Sequence, residues 1–79
     1  MKIQILGKGC AKCNSLEQNA REAVAQSGVD AEVVKITDSD AITTMGVMMT
    51  PAIAIDGEVK KAGKVVSPDE IVKYIKGEK

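Results

Sequence analysis

A chain of 79 residues has room for one domain, because at this size only roughly 60% of the unfolded surface can be buried. Apolar residues make up 44% of it and Tyr74 is the sole aromatic, so the interior must be packed from Ile, Val, Leu, Ala and Met, and nucleic-acid bases find no stacking platform. Eleven basic residues balance eleven acidic ones without a run of either sign, which leaves no footprint for a phosphate backbone, and no apolar stretch approaches the roughly 20 residues that span a bilayer. The expectation is a single domain over residues 1–79, cytoplasmic and monomeric, with neither nucleic-acid nor membrane partners.

Lys2 to Leu6 alternates polar and apolar residues and is broken by Gly7-Lys8-Gly9, so a first strand feeds a tight loop that leads straight into Cys10. From Ala11 to Ser27, Leu16, Ala20, Ala23 and Val24 recur at helical spacing opposite Glu17, Gln18, Arg21 and Glu22, with Gly28 as the stop. Val33, Val34 and Ile36 give Asp30 to Ile36 the β-branched content of a second strand. Strand, helix, strand in that order suggests a parallel βαβ unit.

Thr37 or Asp38 can cap a short helix through Ala41, Ile42 and Met45, which Gly46 ends. Ala52 to Ile55 and Glu58 to Lys61 flank Asp56-Gly57, the dipeptide that best accepts the positive φ angles of a two-residue hairpin turn. Past Gly63, Ser67-Pro68-Asp69-Glu70 combines a capping serine, a proline at the first helical position and a glutamate three residues after the cap. That helix directs Ile71, Val72 and Ile75 inward. The whole reads βαβαββα, an α/β order without repeats or linkers.

In a reducing compartment a cysteine pair is better explained by redox or metal chemistry than by a structural staple. Cys10-Ala11-Lys12-Cys13, at the start of a helix, can close a small disulfide ring, and the unpaired N–H groups of the helix terminus favour a thiolate on the first sulfur. Cys10 is then the outer attacker on a substrate disulfide and Cys13, one turn inward, resolves the mixed disulfide. Lys12, and Lys8 from the preceding loop, can favour the anion further or simply be solvated.

Thr50-Pro51 opens the third strand, where a cis peptide would expose the Thr50 backbone to an extended substrate; an ordinary trans proline is the alternative that base rates favour. Met48 and Met49 before it can form a docking surface, although core packing is the more frequent fate of methionine.

These features, βαβαββα with Gly9-Cys10-Ala11-Lys12-Cys13, Thr50-Pro51 and Gly63, resemble the small prokaryotic thioredoxin-like redox-active disulfide proteins over essentially the whole chain. The resemblance implies a thioredoxin-like fold with a mixed four-stranded sheet flanked by helices, Cys10 as nucleophile, Cys13 as resolving cysteine and a cis Pro51 beside them. It further implies that Gly63 lets the neighbouring backbone approach the active face, that the redox-active Cys10-Cys13 disulfide is the only redox group, and that no cofactor or metal is needed. Protein disulfides are the implied substrates and a thioredoxin-reductase-like protein the implied electron donor.

The chain departs from thioredoxins in having Gly9 where a tryptophan is usual and no acid in the first strand. It departs from glutaredoxins in reading Met49-Thr50-Pro51 and Ala62-Gly63-Lys64 at the segments that hold glutathione.

The rival function is a soft-metal carrier for copper or zinc using the same two thiolates, since heavy-metal-associated domains also place such a loop between a first strand and helix. Their order resembles βαββαβ, ending in a strand, and they usually carry methionine where this chain has Lys8. A structural zinc site needs four ligands, and this chain offers two cysteines and no histidine. A binding module that keeps the fold without turnover is the third class.

Overall fold

The computed structural model describes residues 1–7 and 11–77. The expectations placed on Lys8, Gly9 and Cys10 lie outside the described residues. The observed order is β1 (Lys2–Leu6), α1 (Ala11–Ser27), β2 (Glu32–Ile36), α2 (Ser39–Thr44), β3 (Ala52–Ile55), β4 (Glu58–Ala62) and α3 (Pro68–Ile75), the expected βαβαββα. The four strands form one mixed sheet in the order β2-β1-β3-β4, with β1 parallel to β2 and antiparallel to β3, and β4 antiparallel to β3.

Alternation within the strands divides the core between two faces. Ile3, Ile5, Ile53 and Ile55 pack with Leu16, Ala20 and Ala23 of α1 and with Ile71 and Ile75 of α3. On the opposite face Leu6, Ala52 and Ala54 meet Ile42 of α2 and Val47. β3 is therefore buried on both sides, as its uninterrupted Ala-Ile-Ala-Ile run requires. Asn19 adds a polar tie, its side-chain amide donating to the Val66 carbonyl at 2.9 Å and so holding α1 to the segment that enters α3.

Local chemistry accounts for most of the boundaries. Gly28, at φ 71°, ends α1 with its N–H on the Val24 carbonyl. Asp56 and Gly57 take φ values of 52° and 86°, the paired positive angles of the tight hairpin. Asp56 also exchanges two bonds with Lys2, accepting from its N–H through Oδ1 and donating to its carbonyl, each at 2.8 Å.

Four details differ from the sequence expectation. β2 begins at Glu32 rather than Asp30, because β1, to which it pairs, starts at Lys2 opposite Glu32 and leaves the earlier residues no ladder to join. α2, capped by Asp38, ends at Thr44, so Met45 is its C-cap and not an interior residue. β4 extends to Ala62, which pairs with Ala52. In α3 the Ser67 hydroxyl accepts from the Glu70 N–H at 3.3 Å, but the Glu70 carboxylate accepts from the Tyr74 hydroxyl at 2.8 Å; Val72 is only half-buried. Among the described residues no helix is long and apolar enough to cross a membrane.

Candidate active site

Strand register assembles the site at one end of the sheet. Leu6 pairs with Ala52 and Ala52 with Ala62, so the residues next in line, Gly7 after β1, Pro51 before β3 and Gly63 after β4, come together there. The Gly63 N–H donates to the Pro51 carbonyl at 2.8 Å, and the Gly7 N–H donates to the Ile36 carbonyl at 2.9 Å. The Thr50–Pro51 peptide is cis, with Pro51 buried and Thr50 exposed.

Cys13 enters from above. It lies in the first turn of α1 on the stripe that continues through Leu16, Ala20 and Ala23, which turns its side chain toward the sheet and leaves it 1% exposed. Its sulfur occupies the space beside Gly7: a β-carbon placed on Gly7 would collide with Cys13 Sγ and stand 3.3 Å from Cys13 Cβ and 3.8 Å from Thr50 Cβ. Gly7 was legible in the sequence only as a strand breaker. The signal that it matters here is a tertiary one.

Of the residues singled out from sequence, the structure thus brings together Cys13, Met49, Thr50, Pro51 and Gly63. Lys12 is exposed on the first turn of α1, while Cys10 and Lys8 are outside the described residues. Gly63, at φ 77°, would bring a β-carbon to 3.1 Å from Met49 Cβ and 3.3 Å from its Cε, so glycine is what allows Met49 to lie across the backbone there. Met49 is nonetheless 65% exposed and Met48 96% exposed. Core packing, the commoner fate of methionine, is not theirs, because the loop they occupy sits at the rim of the sheet.

Among the described residues no charged or polar side chain is buried, so none of them places a buried acid behind Cys13. One turn along α1, on its exposed side, Glu17 accepts from Arg21 at 2.8 Å and pairs with Lys35 at 3.4 Å. The Arg21 hydrogen bond holds the Glu17 carboxyl below its usual range, with Lys35 adding to the effect and partial burial opposing it. Lys35 also donates to Asn14 Oδ1 at 2.9 Å. Among the described residues no three His, Cys, Asp or Glu side chains gather as metal ligands.

A mixed four-stranded sheet with a buried cysteine at a helix start, close to the Thr50–Pro51 loop, makes this an α/β protein with a thiol at its candidate site, and known sequences are similar to it. The profile of the thioredoxin domain family matches residues 1–76. The chain is 52% identical over 75 residues to a thioredoxin of Methanothermobacter thermautotrophicus (strain ATCC 29096 / DSM 1053 / JCM 10044 / NBRC 100330 / Delta H), covering 95% of this chain and 97% of that one. It is 42% identical over 74 residues to a thioredoxin of Methanocaldococcus jannaschii (strain ATCC 43067 / DSM 2661 / JAL-1 / JCM 10045 / NBRC 100440), covering 94% and 85% respectively. The chain belongs to the thioredoxin domain family, with the thioredoxin fold. It is a thiol–disulfide oxidoreductase.

Proposed function

We propose that this chain reduces protein disulfides through a Cys10-Ala11-Lys12-Cys13 dithiol, with Cys10 attacking and Cys13 resolving. The observation that carries the reading is the burial of Cys13 in the first turn of α1, against Gly7 and near Thr50, in a chain of thioredoxin family. A sulfur so enclosed is poor at meeting a bulky substrate and well suited to a reaction inside the protein, which leaves the first attack to the cysteine just before the helix.

The Cys10 thiolate, favoured by the positive end of the α1 helix dipole, attacks one substrate sulfur and expels the other as a thiolate. The Cys13 thiolate then attacks Cys10 Sγ, forming the Cys10-Cys13 disulfide and releasing the second substrate sulfur. Two electrons pass to the substrate, and the two thiol protons end on the released thiols or in solvent. A thioredoxin-reductase-like dithiol donor restores the pair, and no further cofactor takes part. Lys12 and Lys8 favour the anionic sulfur. Thr50 offers its backbone to an extended substrate segment, with Pro51 and Gly63 fixing that loop and Met49 and Met48 supplying apolar contact. The protein works in this reading as one cytoplasmic, monomeric domain over residues 1–79.

The metal-carrier alternative is disfavoured by the terminal helix α3 and the strand order, which differ from the βαββαβ arrangement of such carriers. The test is reduction of a disulfide-bonded protein. Cys10→Ser abolishes it, and Cys13→Ser traps a covalent mixed disulfide visible by mass spectrometry; normal turnover by Cys13→Ser overturns the role assignment. Equilibration in graded thiol–disulfide buffers with copper(I) competing decides the rest: cysteines that resist pairing but bind the metal tightly would restore the carrier.

A further inference from the structure

We propose that Gly7 is a positioning residue for the resolving step: its missing side chain is the space in which the Cys13 sulfur stands. The inference rests on Cys13 as the resolving thiol. A β-carbon at position 7 would overlap Cys13 Sγ outright, whereas the approach to Cys13 Cβ, at 3.3 Å, is one a small shift can absorb. The conflict is therefore with the sulfur itself.

Both backbones are anchored. Gly7 is buried, directly follows the last residue of β1, and is pinned by its 2.9 Å bond to the Ile36 carbonyl of the neighbouring strand. α1 is held down by Leu16, Ala20 and Ala23 in the core and by the bond from Asn19 to Val66. The sulfur could escape only by rotating about χ1, and a helix restricts the alternative rotamers. Backbone conformation does not explain the glycine: among the described residues the positive φ angles belong to Asp56, Gly28, Gly46, Gly57, Gly63 and Gly77, and not to Gly7. Position 7 demands empty space rather than an unusual dihedral angle.

The prediction separates two chemical steps. With 5,5′-dithiobis(2-nitrobenzoate) as the disulfide, attack by Cys10 releases one thionitrobenzoate and leaves the other bound to Cys10. Attack by Cys13 then releases the second and closes the protein disulfide, the dithiol losing the two electrons that the reagent gains. In Gly7→Ala the first release stays within about threefold of wild type, while the second slows by between about tenfold and the roughly hundredfold that a ~1 Å misplacement of a reacting atom can cost. Both releases at wild-type rates in a folded Gly7→Ala protein would overturn the proposal. Two full releases from Cys13→Ser would instead overturn the resolving role on which it rests.

A double-mutant cycle on the reduced protein keeps the proposal testable should Gly7→Ala fold poorly. Gly7→Ala lowers the thermal midpoint by several degrees when Cys13 is present and shifts it far less when Cys13 is alanine, since no sulfur remains to collide with. Equal losses in both backgrounds, including failure to fold in both, would mean that position 7 answers to something other than the Cys13 sulfur.

Discussion

The two faces of the sheet carry different kinds of core. Under α1 and α3, four isoleucines from β1 and β3 interlock with Leu16, Ile71 and Ile75, and two long-range supports, the Asn19 bond and the burial of Val66, tie the helices to one another. Under α2 the strands contribute Leu6 and two alanines, and the cover is one short helix with Ile42 at its centre and Val47 just beyond. The same strands thus supply bulk to one side and allow close approach on the other. Cys13 is carried by α1, the helix that Leu16, Ala20 and Ala23 anchor on the thick side.

That contrast can be broken by mutation. Leu16→Ala removes a fully buried side chain from the thick side and is expected to cost about 3 kcal/mol in urea unfolding. Ile42→Ala, on the short helix whose surroundings can settle into the gap, is expected to cost about 2 kcal/mol. A loss for Ile42 equal to or above that for Leu16 would erase the distinction between the faces.

The smallest effect lies at the outer edge of the thick side. Burial raises the Tyr74 pKa above its ordinary value, and the hydrogen bond and charge of Glu70 raise it further. Because the folded protein keeps this proton longer than the unfolded chain, the contribution to stability is full below the ordinary tyrosine pKa of about 10 and is lost as pH rises through the folded value. Tyr74 is the sole tyrosine, so its phenolate absorbance should titrate above the unfolded chain's, and Glu70→Gln should move it downward. No change in Glu70→Gln would leave burial as the whole cause.

Features set by neighbouring residues were legible in the sequence: the Asp56-Gly57 turn, the Ser67-Pro68 helix start, the Gly28 stop and the apolar stripe of α1. Features set by distant partners were not. β2 starts where β1 gives it a ladder, and Glu70 chose Tyr74 over the Ser67 backbone because the phenol sits one turn along the same helix face. Met48 and Met49 lack any periodicity that would betray exposure. For the candidate site, the cysteine spacing and Thr50-Pro51 could be read directly, whereas the fit of Gly7 to the Cys13 sulfur exists only once β1 and α1 are packed.

The bond from the Gly63 N–H to the Pro51 carbonyl joins the start of β3 to the end of β4 at the rim of the sheet. The two rim segments are mechanically coupled by it: force applied to Met49, which rests on Gly63, is shared by both strands and passed into the sheet. A load on this rim is therefore carried by two strand ends together rather than by one alone.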